Sequence, residues 1–312
     1  MDPITHALVG GLAAKSVQTS KRRFWVMGLL GMAPDLDVFA NYLGGWAALL
    51  QHRGVTHSLF GWIVQTLFFA WLFARWDRGR YYERAFHYSL AIGLHLVCDF
   101  LTSYGIPWLS PFYFSEVSAD LMPGFTAIPL FFMAVGIFYL HRRGHEGWRA
   151  TRPLWILWSF NLLFAVSTRS YAQRMVPMPG HQATMVPTTI NPFVWRTVEV
   201  DPAARMYREK TINLLNGKRG NGVEVPFPAK NFPINASLRS QLVTSFLRDN
   251  RWPVARSIKQ ENGWIVEWGR LVFSVKGDVR GKVRVRVSDD GQILDERPIF
   301  NFWSAPAAVQ PS

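Results

Sequence analysis

Long apolar runs alternate with short basic clusters over the first 170 residues of the chain. A membrane-spanning helix needs about 20 mostly apolar residues. Four runs come close to that length: Ser58–Trp76, Ala85–Thr102, Phe125–Leu140 and Leu154–Thr168. Two weaker runs are interrupted by polar residues: Ile4–Thr19 and Phe24–Leu50. The pattern therefore predicts an all-α membrane bundle of about five to six membrane segments over residues 1–170.

The pattern changes after residue 170. Residues 171–192 are rich in Pro, Met and Thr, which predicts a linker. Short β-prone runs separated by turn residues follow and predict strands: Val194–Val200, Val254–Lys259, Trp264–Trp268, Leu271–Val275 and Lys282–Val287. An amphipathic helix is predicted over Ala236–Arg248. Residues 193–312 are thus expected to form a small, mostly antiparallel α+β domain outside the membrane.

The composition of the chain indicates that it associates with membrane lipids. The chain is 49% apolar and 18% charged, against about 25% charged in ordinary soluble domains. Its single cysteine, Cys98, excludes a disulfide scaffold. The net charge of +13 could suit nucleic acid, but the basic residues of the first half lie between apolar runs. We therefore expect membrane lipids as the partner and no nucleic acid, whereas the sequence does not indicate a protein partner.

The basic clusters also predict an orientation. Lys and Arg concentrate at residues 21–23, 75–84 and 142–152, whereas residues 104–124 contain none. The positive-inside rule places these clusters in the cytoplasm. The expected location is the cell inner membrane, with the C-terminal domain on the outer face. Ile4–Thr19 either spans as a sixth segment or lies flat on the bilayer.

Ionisable residues within apolar segments indicate a functional site, because they are costly to place there. Here all of them are His or Asp, which are ligands typical of Zn²⁺, Mn²⁺ or Fe rather than of a thiolate site. With the predicted topology, four segments carry them at a similar depth. The candidate metal ligands are His6, Asp35, Asp37, His52, His57, His95 and Asp99.

Each motif also has a local interpretation. His95 and Asp99 are spaced i, i+4 and face one side of a helix, either as two ligands or as a hydrogen-bonded pair. Asp35 and Asp37 follow Pro34. They could bridge two metals, one of them could orient a histidine, or they could simply cap a helix.

The third motif places two histidines, His52 and His57, on either side of a glycine turn. Arg53 beside them could hold a phosphate or a developing negative charge, or anchor a lipid headgroup.

These candidates predict metal chemistry. Seven ligands exceed the three or four of one zinc ion, so either two metals bind or some residues support the ligands. We expect a divalent metal, zinc with Mn or Fe as alternatives, one or two ions per chain. The metal would activate a water molecule. The residues assigned to catalysis are Asp35, Asp37 and Arg53. No motif of serine hydrolases, zincins or P-loop proteins is present.

Four motifs in order resemble the bacterial and archaeal family of membrane-bound, metal-dependent hydrolases. They are Asp2-Pro3-Ile4-Thr5-His6, Pro34-Asp35-Leu36-Asp37, His52-Arg53-Gly54-Val55-Thr56-His57-Ser58, and His95 with Asp99, Thr102 and Gly105. Together they cover residues 1 to about 170. The resemblance implies a multi-helix membrane protein with a metal-dependent hydrolase activity.

Two functions from different classes follow. The first is a membrane-bound metal-dependent hydrolase acting on a membrane-accessible substrate, such as a lipid or lipid-linked phosphate ester. The alternative is a transporter or membrane scaffold whose His/Asp site is structural or translocates an ion. Transporters often contain repeated broken helices, and the break at Pro34 has no second copy in the sequence.

Overall fold

The computed structural model describes residues 2–17, 19–42, 54–103, 105–123, 127–176, 183–188, 191–220, 222–248, 250–271 and 281–298. The chain divides into two compact units. The first contains Met1–Met178, Met185–Arg196 and Ile212–Arg219. The second contains Pro179–Thr184, Thr197–Thr211 and Gly220–Ser312. All of the described residues that were predicted to bind metal lie in the first unit.

The first unit is mainly helical. Its helices are α1 (Pro3–Ser16), α2 (Lys21–Leu30), α3 (Leu59–Leu72), α4 (Tyr81–Phe100), α5 (Ala127–Arg143) and α6 (Trp148–Met175). Three 3₁₀ segments accompany them: Ala33–Tyr42, Val55–His57 and Phe73–Arg75. Each of the six helices overlaps one of the apolar runs of the sequence.

Polar side chains fix where these helices begin. Asp2 accepts a hydrogen bond from the backbone N–H of Thr5 at 2.9 Å, and Pro3 occupies the first turn of α1. Ser58 caps α3 in the same way, accepting from Gly61 N at 3.0 Å. Such caps satisfy the free N–H groups of a first helical turn. They place His6 one turn inside α1 and His57 immediately before α3.

The predicted membrane bundle is wrong. Within the described residues, no helix combines the length and the apolar character needed to cross a bilayer. α1 and α3 have 14 residues each, a rise of about 21 Å against a hydrocarbon core of about 30 Å. The longer α4 and α6 carry charged residues within their length, among them Glu83, Arg84 and Arg152. The sequence-based segments were extended through 3₁₀ turns that end the real helices.

α1 and α2 pack closely because glycines line their contact. A Cβ added to Gly10 would lie 2.4 Å from the Met27 carbonyl oxygen, and one added to Gly31 would lie 2.3 Å from the His6 carbonyl oxygen. Leu12 and Met27 are fully buried in the core of this unit. The contact brings His6 beside the turn that follows α2.

Gly10→Ala is expected to destabilise the first unit by about 1–3 kcal/mol, because the new methyl group must displace backbone. Gly28→Ala is the matched control. Its Cβ would lie 3.6 Å from the Ala7 carbonyl oxygen, an ordinary contact, and alanine favours the helix. Denaturant unfolding of both variants checks this expectation. Equal unfolding midpoints would contradict the close helix contact.

Two four-stranded sheets follow the helices. Their strands are β1 (Ala183–Pro187), β2 (Val194–Asp201), β3 (Met206–Asn213), β4 (Val223–Pro226), β5 (Pro253–Gln260), β6 (Gly263–Arg270), β7 (Gly281–Val287) and β8 (Ile293–Pro298). The strand orders are β1-β2-β3-β4 and β5-β6-β7-β8. Secondary structure enters both ends of the predicted linker, because α6 ends at Met175 and β1 begins at Ala183.

The second sheet is antiparallel throughout, with β5 paired to β6 from Pro253↔Arg270 to Gln260↔Gly263. Two short helices, α7 (Phe232–Ser237) and α8 (Gln241–Arg248), supply apolar side chains to its core. The predicted single helix Ala236–Arg248 is thus split. Leu271 lies in a 3₁₀ turn rather than a strand, and the rest of the predicted strand Leu271–Val275 lies outside the described residues. This part of the chain thus contains two four-stranded sheets, where one small, mostly antiparallel α+β domain was expected.

Candidate metal centre

Four segments of the first unit meet at one buried group of His and Asp side chains. α1 supplies His6, the 3₁₀ segment Ala33–Tyr42 supplies Asp35, the turn Val55–His57 supplies His57, and α4 supplies His95 and Asp99. The side chains of the three histidines and of Asp99 have no exposed surface. That of Asp35 is 13% exposed, so the cluster is most open on the Asp35 side.

Four of these residues have donor atoms close enough to share one metal ion. Suitable atoms of Asp35, His57, His95 and Asp99 all lie within 4.8 Å of one another. His57 Nε2 is 3.1 Å from His95 Nε2, 3.4 Å from Asp35 Oδ1 and 3.6 Å from Asp99 Oδ2. Donor atoms that share a tetrahedral ion at about 2.1 Å stand about 3.4 Å apart. The observed spacings fit that value.

Hydrogen bonds at the Nδ1 atoms of His57 and His95 set the tautomer of each ring. As a result, the Nε2 atom of each ring presents its lone pair to a cation. His95 Nδ1 is 2.7 Å from the Gly31 carbonyl oxygen, which only accepts, so Nδ1 carries the proton. His57 Nδ1 faces Asp37 Oδ2 at 3.2 Å and donates to that carboxylate. The two Nε2 atoms therefore turn their lone pairs toward each other, and a proton or a metal ion must lie between them.

Without a metal, that cation is a proton on His57. Burial disfavours the charged ring, but the carboxylates of Asp37 and Asp35 outweigh burial and raise the pKa of His57 to about 9. Burial lowers the pKa of His95 well below its ordinary value. Burial alone would raise the pKa of Asp35. The hydrogen bond with His57 and the charges of the neighbouring histidines outweigh burial and lower that pKa.

The residues present fit a divalent metal ion. Among the described residues, Asp35 Oδ2 is buried without a hydrogen-bond partner, which is costly unless a ligand completes the site. Neutral imidazole and carboxylate are the donors of Zn²⁺, Mn²⁺ and Fe²⁺. Carbonyl and carboxylate partners behind the rings are the usual support of metal-bound histidines. The cluster can therefore hold a metal ion, whose identity the geometry leaves open.

Asp37 lies behind His57. Its Oδ2 faces His57 Nδ1 at 3.2 Å and also accepts a short hydrogen bond from the Thr56 hydroxyl. It is therefore placed to orient His57, which is one of the three roles considered from the sequence. Thr56 and the Gly31 carbonyl were not identified from the sequence. Thr56 lies inside the His-Arg-Gly-Val-Thr-His motif, whereas a backbone carbonyl leaves no signal in residue type.

Asp37→Asn is expected to weaken metal binding by about 10–100-fold, the usual effect of removing an outer partner of a histidine ligand. The ion itself would still bind, because His57 Nε2 remains in place. Titration of the metal-free protein with Mn²⁺ at pH 9, where proton competition at His57 is small, measures the change. An affinity equal to that of the unaltered protein would contradict the role of Asp37.

Not every predicted residue can be placed. The structure brings His6, Asp35, Asp37, His57, His95 and Asp99 together, whereas His52 and Arg53 lie outside the described residues. The roles expected for His52 and Arg53 therefore remain predictions.

The fold and site define a helical protein with a buried His/Asp cluster that can hold a metal ion. The family model of the YdjM inner membrane protein matches residues 1–176, which include every residue of this cluster. The chain therefore belongs to the YdjM inner membrane protein family, and the family name indicates the inner membrane. The comparisons with curated proteins and with solved structures found no match.

Proposed function

We propose that this protein is a metal-dependent hydrolase acting at the inner membrane. The observation that carries the proposal is the pair of imidazole Nε2 atoms 3.1 Å apart, each ring held by a partner on its far side. Two carboxylates, Asp35 and Asp99, complete the set of donors around them. This arrangement is organised for a cation before any cation binds.

Each residue has a separate task in the proposed reaction. His57, His95, Asp35 and Asp99 would hold the ion, and Asp37 would keep His57 in the correct tautomer. A bound metal supplies an activated water and polarises the bond to be cleaved. Asp35 is the most exposed member, so a substrate would approach from its side.

The surface of the same unit supports a substrate that is accessible from the membrane. α3, α5 and α6 each present large exposed apolar side chains, including Trp71, Phe131 and Phe160, which are 67%, 63% and 65% exposed. Exposed apolar faces of this size are typical of lipid or protein contacts. Together with the family name, they support a lipid or lipid-linked phosphate ester as substrate. The outer-face placement of residues 193–312 depended on basic clusters flanking membrane-crossing helices, and helices of these lengths give it no support.

The test is hydrolysis of a phospholipid in detergent micelles by the purified full chain. The metal-free protein is assayed alone and after addition of Mn²⁺, Zn²⁺ or Fe²⁺. We expect at least one ion to raise the rate by about 100-fold or more, as a Lewis acid worth several kcal/mol requires. Asp99→Asn should remove that gain, whereas His145→Ala, an exposed histidine outside the cluster, should retain it. Full activity after complete metal removal would overturn the proposal, as would no hydrolysis by the metal-loaded protein.

One observation favours a second candidate, a membrane scaffold with a structural metal. Four protein ligands in a buried site are typical of structural metal sites, whereas catalytic sites usually offer three. In that case metal removal would destabilise the protein, and the metal-loaded protein would hydrolyse no phosphate ester. The hydrolysis assay and a thermal unfolding curve on the same samples separate the two candidates.

A further inference from the structure

His6 lies on the far side of the two shared carboxylates from His57. Its Nε2 is 3.3 Å from Asp99 Oδ1 and 3.9 Å from Asp35 Oδ2. His57 and His95 instead face the opposite oxygens, Asp35 Oδ1 and Asp99 Oδ2. Each carboxylate therefore directs one oxygen toward the His57–His95 pair and the other toward His6. Carboxylates with both oxygens used in this way bridge pairs of metal ions.

We propose that Asp35 and Asp99 bridge two divalent metal ions, the second of which binds His6 Nε2, Asp35 Oδ2 and Asp99 Oδ1. This inference rests on the metal centre of the proposed function. The distances from His6 Nε2 to the two oxygens, 3.3 and 3.9 Å, are in the same range as those within the first group of donors. Ions of two-metal sites lie about 3.5–4 Å apart, a separation that two bridging carboxylates span.

The position of His6 is built into the fold. The carbonyl oxygen of His6 lies against Gly31, where any side chain would clash at 2.3 Å. Its ring stacks on the ring of His95, with centroids 3.7 Å apart and planes 26° apart. Within the described residues, His6 Nε2, the nitrogen that would bind the ion, is buried without a hydrogen-bond partner. A polar ring this buried, and held this firmly against two carboxylates, is explained by a ligand.

Charge favours the second ion. Asp35, Asp37 and Asp99 are three carboxylates within a few ångströms of the histidines, and Asp37 and Asp99 are almost fully buried. One divalent ion leaves a net negative charge in a site that water hardly reaches, and buried unbalanced charge is costly. With a second divalent ion the sum becomes one positive charge, which one anionic oxygen of a substrate would balance.

The two metal positions would differ in the number of protein donors, and so in the room that they leave for water or substrate. The first has four protein donors, whereas the second has three. Three protein ligands leave room for water or for an anionic substrate oxygen, as in catalytic sites. The second ion, with fewer protein donors, would then be the one that contacts a substrate. The closed four-donor set and a hydrolytic reaction are compatible in this arrangement.

The test loads the purified full chain with Mn²⁺ and measures metal content together with the electron paramagnetic resonance spectrum. We expect two ions per chain with the many-line spectrum of a coupled pair. His6→Ala should hold one ion with an uncoupled six-line spectrum, and His6→Gln, which preserves the packing volume, should do the same. His145→Ala is the matched control and should keep two coupled ions. Circular dichroism confirms that each variant is folded.

The possible failures are distinguishable. One uncoupled ion in the unaltered protein would overturn the second site and leave the proposed function standing. Two coupled ions in either His6 variant would also overturn the role of His6. A folded protein that binds no ion would overturn both this inference and the proposed function.

Discussion

Removing the metal from the purified protein should lower its free energy of unfolding by about 4 kcal/mol, when the free metal was present at 1,000 times its Kd. The chelated protein loses the cation that lies among Asp35, Asp99 and the two facing imidazoles. For a chain of this size, such a change corresponds to a fall of roughly 6 °C in Tm. Thermal unfolding with and without a chelator, at fixed pH, measures it.

Asp99→Asn provides the control for this prediction. The amide has the shape of the carboxylate but is a much weaker metal ligand, so the chelator should cause little further loss of Tm in this variant. A chelator that removes the metal from the unaltered protein without changing Tm would contradict a metal centre within the core of the first unit.

Metal affinity should rise about 50-fold between pH 7 and pH 9. In the metal-free protein the pKa of His57 is raised to about 9, so a proton occupies the ring at pH 7. The metal must displace that proton, which makes Kd fall about tenfold for each pH unit until the ring is neutral. Above pH 9 the affinity should level off. Mn²⁺ titrations at three pH values measure the slope.

Stability of the metal-free protein has the opposite dependence on pH. The folded-state pKa of His57 exceeds its ordinary value of 6.5, so its contribution to stability is complete below pH 6.5 and is lost as the pH rises through 9. Asp37→Asn, which removes the leading carboxylate that raises this pKa, should shift the affinity slope to lower pH. A Kd that stays constant from pH 7 to 9 would contradict the shared proton between His57 and His95.

Four ligands proposed from the sequence, Asp35, His57, His95 and Asp99, lie together in the structure, but the reason given for their convergence was wrong. The reasoning that His6, Asp35, His95 and Asp99 share a level used membrane depth, and the helices of the described residues do not cross a bilayer. The structure brings them together through the glycine contact between α1 and α2 and through the Gly31 carbonyl, which holds His95. A close backbone approach depends on tertiary packing, so residue spacing alone does not reveal it.

Several strands were predicted more accurately than the ends of the helices, and the reason is physical. Strands β2, β5, β6 and β7 lie within one or two residues of their predicted bounds, because alternation and turn residues are local signals. The helices lie where the apolar runs are, but their ends were missed. Segment Ser58–Trp76 gives α3 over Leu59–Leu72 only, since the chain then tightens into a 3₁₀ turn at Phe73–Arg75. Apolar residues continue through that turn and hide the helix end.

The metal content of the purified full chain tests the central claim most directly, with His57→Ala and Asp35→Asn measured beside it. Each variant removes one donor of the cluster and leaves the core of the first unit otherwise intact. We expect stoichiometric metal in the unaltered protein and loss of metal in both variants. A folded, unaltered protein without metal, or full occupancy retained in both variants, would contradict it.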